Sequence, residues 1–195
     1  VEVTVKSHLL HYQAIGFAHL EKAGTTALQN QLNYWQDYLV WALEGGGHAI
    51  CQAALDWLQA RQPAAEPTVL CWGDSRIGNI IFRESLDGVA AVLDWEMAVL
   101  GNPVQDLAWF NYMDAIFSEG LGMPRLAGLP SYEDSIDQWQ QQTGYCARDY
   151  DYYLVFAGMR FGLLLSRIML ATGQTEQVQG NFACQLLQKT LDRLG

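Results

Sequence analysis

The chain has 195 residues, of which 50% are apolar and 16% are charged. This composition predicts a single domain with a buried core and excludes an intrinsically disordered chain. The net charge of −10 argues against nucleic acid and against anionic membrane surfaces as partners, because both require a basic face.

The first third of the chain is typical of helices joined by short turns. Apolar residues recur every three or four positions, and threonines and glycines mark where helices begin and end. The predicted segments are a stretch of mixed helical character at 5–20, a helix from the cap at Thr25 and Thr26 to about Glu44, a second helix at 49–60, and a Pro/Ala linker at 62–67.

The middle of the chain is typical of short β-strands. Three apolar runs are separated by turn residues, and the Asp87-Gly88 pair is typical of a hairpin turn. The predicted strands cover residues 68–72, 79–83 and 89–93. This part of the chain therefore predicts a small β-hairpin with loops at its open end.

The remainder returns to helical patterns. Pro103 is suited to the first turn of a helix, and Ser131 with Asp134 has the spacing of a capping box. Further segments are a Gly/Pro-rich loop at 118–130 and helices at 149–171 and 175–194. The predicted fold class is α+β, mainly α, with helices around one hairpin in a single domain spanning 1–195.

The cysteines and the apolar runs predict the cellular setting. The four cysteines contain no CxxC pair and match no zinc pattern, so we expect buried free thiols in a reducing compartment. The longest apolar stretch, 161–170, is interrupted by Ser166 and Arg167, which indicates that no segment crosses a membrane. We therefore expect a soluble cytoplasmic protein.

Two polar segments that follow predicted strands carry the candidate chemistry. In the first, residues 72–79, Asp74 can accept the proton of an attacking hydroxyl and Asn79 can give its amide oxygen to Mg²⁺. Arg76 lies between them and can reach a transferring phosphate. In the second segment, Asp94 adds a hard carboxylate ligand for the same metal.

Structural roles are the alternatives for these residues. Asp74 and Asn79 are residue types common in turns. Arg76 could simply pair with Asp94 or with Glu96, and Glu96 could be a surface acid. The sequence pattern alone does not choose between these roles and chemistry.

The ordered motifs resemble the aminoglycoside phosphotransferase and choline kinase family, whose members share the protein-kinase fold. The resemblance spans about residue 28 to the C-terminus and is strongest over 69–109. The segment 72–82 is most similar to the branch that includes phosphotransferase-like domains fused to acyl-CoA dehydrogenases. The matching motifs are Gly73-Asp74-x4-Asn79, Leu93-Asp94-Trp95-Glu96, and Gly101-x-Pro103-x-x-Asp106-Leu107-Ala108.

The resemblance implies transfer of the γ-phosphoryl group of ATP to a hydroxyl of a small-molecule acceptor. It implies that Asp74 orients or deprotonates the acceptor hydroxyl and that Arg76 contacts the phosphate. Asn79 and Asp94 would bind Mg²⁺ and, through it, the nucleotide. Glu96, which replaces the glycine of the Asp-Phe-Gly motif, would be an additional metal acid or an acid just outside the metal's ligands.

Two features depart from the family pattern. Trp72 replaces the histidine that normally braces the catalytic loop. A Gly-rich phosphate loop and a strand lysine are not found before that loop, since Lys6 and Lys22 lie outside strand patterns. We therefore expect the chain to be the C-terminal lobe alone, with the nucleotide lobe outside it and little activity by itself. Asp106 matches a helix aspartate with a structural role.

Two other functions stay open at this stage. A kinase-like fold without a nucleotide lobe could be a non-catalytic binding module. Gly73-Asp74-Ser75 also resembles the nucleophile block of GDSL-type esterases, with Ser75 as the nucleophile. That chemistry needs a histidine base, which this esterase family carries near its C-terminus, and all four histidines here precede Ser75.

Overall fold

The computed structural model describes residues 2–195, in which helices surround a short β region. The helix boundaries follow the capping residues: the Thr26 side chain accepts a hydrogen bond from the Gln29 N–H, and Ser131 accepts one from the Asp134 N–H. The helices are α1 (Glu2–His8), α2 (Ala27–Ala42), α3 (Ala49–Ala60), α4 (Val104–Ala115), α5 (Tyr132–Thr143), α6 (Tyr150–Ala171) and α7 (Phe182–Leu194).

The strands form two separate antiparallel pairs. β2 (Ile80–Phe82) and β3 (Val89–Val92) make the predicted hairpin. β1 (Val69–Cys71) pairs instead with β4 (Val99–Gly101), a strand that the sequence analysis missed. β4 has three residues and begins one residue after a 3₁₀ turn, so it shows no alternating pattern of its own.

Three predicted segments differ from the structure. In the segment 5–20, α1 ends at His8 and only a 3₁₀ turn, Phe17–Leu20, follows. The loop at 118–130 begins inside a π-helical turn that extends α4 through Gly120. The helix predicted from Thr175 starts only at Phe182, because Asn181 is its N-cap and accepts the Cys184 N–H.

The core is organised around α6, which packs against α3, α4 and α7. Its buried side chains include Tyr153, Phe156 and Leu163. By length and composition alone α6 could cross a membrane, a result that the interruption at Ser166 and Arg167 does not prevent. Of its most apolar window, 56% is buried inside the protein, as in the core helix of a globular domain.

The cysteines are free thiols, as predicted, but their burial differs. Cys51, Cys71 and Cys184 are buried, whereas Cys146 is exposed. The Sγ atoms of Cys51 and Cys184 are 3.8 Å apart, and the Cys184 Sγ is 3.4 Å from Nε2 of His48. The hydrogen bonds from Cys51 and His48 lower the pKa of the Cys184 thiol.

Candidate functional site

The loop that follows β1 is held against the segment after β3 at Gly73. Gly73 has a φ of 89°, and a Cβ at this position would lie 2.0 Å from the main-chain oxygen of Met97. Glycine is therefore required here both by the backbone conformation and by the close approach of a second main chain. The neighbouring Asp74 is fixed as a consequence.

We predict that Gly73→Ala lowers the free energy of unfolding by about 3 kcal/mol or more, because strain at positive φ and a backbone clash add. Gly144→Ala is the matched control: Gly144 has a φ of 75°, but among residues 2–195 no atom outside its chain neighbours lies within 4 Å of the added Cβ. It should lose only the conformational part, about 1–2 kcal/mol. Urea unfolding measures both, and equal losses would contradict the clash.

Asp106, near the start of α4, anchors the main chain of the same loop. Its buried carboxylate accepts hydrogen bonds from the N–H of Trp72 (2.7 Å) and of Gly73 (2.9 Å). His8 Nε2 lies 3.0 Å from the same carboxylate. Nδ1 of His8 accepts the indole N–H of Trp139, so Nε2 is the nitrogen that donates to Asp106. Asp106 has the structural position that the resemblance implied.

Ser75 is also part of this anchoring and not a nucleophile. Its side chain is buried, and its hydroxyl donates to the main-chain oxygen of Asp106 at 2.5 Å. A serine nucleophile needs a hydroxyl that is accessible to substrate and bonded to a base. The esterase interpretation is therefore wrong.

Trp72 connects the two functional segments. Its indole N–H donates to the main-chain oxygen of Leu93 (2.7 Å), the residue before Asp94. Behind the loop, Arg160 from α6 donates to the main-chain oxygen of Gly73 (2.9 Å). Trp72 thus provides a brace at the position where the family normally has histidine.

The Asp74 carboxylate receives three N–H donors that fix its orientation. Oδ2 accepts from Nδ2 of Asn79 (2.7 Å) and from Nε of Arg76 (2.9 Å), while Oδ1 accepts from the indole of Trp109 (2.9 Å). The sequence motifs predict no role for Trp109 at this carboxylate. A signal was present, because Trp109 is three residues after Asp106 and shares its helix face.

Asp94 completes the cluster from the neighbouring loop. Its backbone is left-handed, with φ 57° and ψ 60°, a conformation rare for residues other than glycine and common at functional sites. The main-chain N–H of Leu93 donates to the main-chain oxygen of Asn79, which joins the two loops. Oδ2 of Asp94 is 3.8 Å from the Arg76 guanidinium. The structure therefore brings Asp74, Arg76, Asn79 and Asp94 together.

Comparisons with known proteins identify the family of this chain. The model of the phosphotransferase enzyme family matches residues 1–141. The chain belongs to the phosphotransferase enzyme family. This agrees with the resemblance noted from the sequence motifs.

Individual relatives of this phosphotransferase chain are much longer. Mouse acyl-CoA dehydrogenase family member 10 is 25% identical over 86% of the chain, which spans 16% of that protein. Human acyl-CoA dehydrogenase family member 11 is 30% identical over 67% of the chain, which spans 18% of it.

A solved structure shows the same fold. A protein from Ralstonia eutropha, assigned as an aminoglycoside phosphotransferase, superposes with a TM-score of 0.75. The superposition covers 96% of this chain and 63% of that protein, at 24% identity. The predicted kinase-like, mainly helical α+β fold is therefore confirmed.

The side chains of Asn79 and Asp94 have oxygen atoms that fit a magnesium ion. Asn79 uses its amide nitrogen for Asp74, and within residues 2–195 its Oδ1 is left as the ligand atom. The Asp94 side chain is about half exposed and can add a carboxylate oxygen. Mg²⁺ prefers such oxygen ligands and completes its shell with water and phosphate.

Glu96 is placed differently from the other candidates. It is exposed and lines a cavity of about 930 Å³ beside the loops, together with Met97, Ala98 and Arg160. In the part of the chain that is described, it makes no ion pair with Arg76, in contrast to Asp94 and Asp74. Its assignment as an additional metal acid stays a prediction.

Proposed function

We propose that this phosphotransferase transfers the γ-phosphoryl group of ATP to a hydroxyl of a small-molecule acceptor, with Mg²⁺ at Asn79 and Asp94. The main support is the Asp74 carboxylate, which three N–H donors orient next to the Asn79 amide, while the Arg76 guanidinium that binds Asp74 also approaches Asp94. Phosphoryl transfer depends chiefly on positioning and charge neutralisation, which is what such a rigid polar cluster provides.

In this proposal Asp74 acts on the acceptor. Its carboxylate accepts the hydrogen bond of the acceptor hydroxyl and takes the proton as the new O–P bond forms, while the bond between the γ-phosphorus and the bridging oxygen breaks and ADP leaves with that oxygen. The side chain is 14% exposed, so its accessible part can meet a substrate while the donors fix the rest. Mg²⁺, when bound, supplies positive charge to the phosphate oxygens.

Arg76 lies between two carboxylates, where it is placed to contact a phosphate. In the structure it pairs with Asp74 and approaches Asp94, and its side chain is 37% exposed. The ion pair between Arg76 and Asp94 is exposed, and such pairs typically contribute only about 0–1 kcal/mol to stability. The guanidinium can therefore leave Asp94 for a transferring phosphate at small cost, and this supports the phosphate role over a purely structural pairing.

The remaining parts of the proposal concern the setting. We propose that the adenosine portion of ATP is held by a nucleotide lobe outside residues 2–195, and that the protein works in the cytoplasm without nucleic-acid or membrane partners. The acceptor is a small hydroxyl compound. The non-catalytic binding module is the competing function, and it predicts that ATP with Mg²⁺ does not bind.

Asp94→Asn tests the metal role in the intact gene product that carries this chain. Asparagine tolerates the left-handed backbone at this position, so the substitution removes charge with little strain. We expect the Mg²⁺ concentration for half-maximal ATP turnover to rise about tenfold or more, because a ligating charge is lost. Magnesium titrations of ADP release measure this value.

The matched control is Asp87→Asn, at an exposed acid in the β2–β3 turn. It should leave the magnesium dependence unchanged. The same midpoint in Asp94→Asn and in the unaltered protein would contradict the metal role. Absence of ATP binding at millimolar nucleotide and magnesium would favour the binding module instead.

A further inference from the structure

The guanidinium of Arg160 is buried with few partners. Arg160 is only 2% exposed, and its guanidinium carries five N–H donors. Within residues 2–195 it makes one hydrogen bond, to the Gly73 oxygen, and Nε is buried with no partner. Ion pairs with carboxylates are formed by other arginines of the described chain but not by Arg160.

A buried charge without a counter-ion is costly, and such charges are normally paired. Burial lowers the pKa of Arg160 to about 10, which still leaves it protonated near neutral pH. The charges of Asp106 and Asp74 partly counteract this lowering of the pKa, but among residues 2–195 neither carboxylate forms an ion pair with Arg160, and both accept other donors. The rings of Trp109 and Trp35, 4.5 and 5.4 Å from the guanidinium carbon, offset only part of the cost.

Arg160 also lies on the wall of the 930 Å³ cavity. Another part of the lining comes from α2, with the aromatic side chains of Tyr34, Trp35 and Tyr38, and the Trp35 ring lies beside the Arg160 guanidinium. A volume of this size is in the range of sites for small organic molecules, which combine apolar walls with a few fixed polar groups. The cavity thus places an unpaired cation next to an aromatic surface.

We propose that this cavity binds an organic carboxylate, with the carboxylate on Arg160 and an apolar body against the α2 aromatics. A planar carboxylate matches the fork of a guanidinium and supplies the missing acceptors. This inference concerns binding alone and does not depend on the phosphotransfer proposal. Because Arg160 also holds the Gly73 oxygen, the ligand and the catalytic loop contact the same side chain.

The acidic residues in the lining do not favour a cationic ligand. Glu66 is already bonded to Asn102 and Tyr153, and burial raises the pKa of its carboxyl group. Glu21 accepts from the exposed Tyr12 and Gln13 side chains. Glu96, the third acid of the lining, is exposed, so solvent and salt screen its charge. Among residues 2–195, Arg160 is thus the buried charged group of this lining without an ion-pair partner, and the acids disfavour a doubly charged phosphate more than a singly charged carboxylate.

Three probes with one body and different head groups test the proposal on the unaltered protein. They are 4-phenylbutyrate, 4-phenyl-1-butanol and 4-phenylbutylamine, with binding measured by calorimetry without nucleotide. We expect the carboxylate to bind about tenfold or more tightly than the alcohol, since hydrogen bonds to charged groups are the stronger ones. The amine should bind most weakly.

Two variants test whether the preference for the carboxylate comes from Arg160. In Arg160→Met the carboxylate and the alcohol should bind equally, whereas Lys22→Ala, at the other lysine or arginine of the lining, should keep the preference. Equal binding of carboxylate and alcohol to the unaltered protein, a preference for the amine, or equally strong competition by inorganic phosphate would overturn the proposal. The head-group series needs no variant, so it decides even if Arg160→Met does not fold.

Discussion

Asp74→Asn is expected to reduce phosphoryl transfer by about 10²–10⁴-fold in the intact gene product, the range attributed to a positioned general base. Asparagine keeps the size of the side chain but replaces one oxygen with a donor. The donors from Arg76 and Asn79 both point at Oδ2, so the new amide either faces them or gives up the indole of Trp109. The acceptor hydroxyl also loses its base.

The measurement separates chemistry from binding. The maximal rate should fall while the Michaelis constant for ATP changes little, because Asp74 acts on the acceptor and on the transition state. Circular dichroism and thermal unfolding should show a folded protein. Asp87→Asn, an exposed acid on the neighbouring hairpin, should retain full activity. An unchanged maximal rate in Asp74→Asn would exclude the proposed role.

Trp109→Phe gives an independent view of the same carboxylate. Phenylalanine keeps an aromatic ring near Arg160 but removes the N–H that donates to Oδ1 of Asp74. We expect a loss of about 10-fold in maximal rate, smaller than for Asp74→Asn, because one of three orienting donors is gone. Steady-state kinetics measure it, and a loss as large as that of Asp74→Asn would indicate that the ring itself is needed.

The parts of the site that lie on one continuous segment were predictable from the sequence. Asp74, Arg76 and Asn79 occupy one loop of eight residues, and a strong hairpin signal places Asp94 near them. The strand β4 was not predictable, since its partner β1 ends 28 residues earlier and pairing alone defines so short a strand. Local sequence patterns thus predicted the loop residues and the hairpin, but not the pairing of β1 with β4.

Contacts between residues far apart in the chain could not be predicted from the sequence pattern. His8 and Asp106 are 98 residues apart, and Arg160 is 87 residues from Gly73. Nothing in a helical pattern distinguishes Arg160 from a solvated arginine, because its burial results from the packing of α6 against α2 and α4. Whether such an arginine is exposed or buried depends on its tertiary contacts, which a local sequence pattern does not contain.

The strongest stability effect is expected for Asp106→Ala. Three buried donors, the N–H groups of Trp72 and Gly73 and Nε2 of His8, would lose their acceptor at once. Removing one partner of a buried charged network typically costs about 3–5 kcal/mol, a large share of a total stability of about 5–15 kcal/mol. For this reason we expect a marginally folded protein in which the loop at 72–79 is displaced.

Urea unfolding of Asp106→Ala and of two comparison variants tests this ranking. Asp106→Asn keeps one carbonyl oxygen for a main-chain N–H and should lose less than the alanine variant. Asp192→Ala removes an exposed helix aspartate that accepts a hydrogen bond from Gln188, and it should change stability by less than about 0.5 kcal/mol. If Asp106→Ala were as mild as Asp192→Ala, the loop would be held mainly by Arg160 and Ser75, and the orientation of Asp74 would not depend on α4.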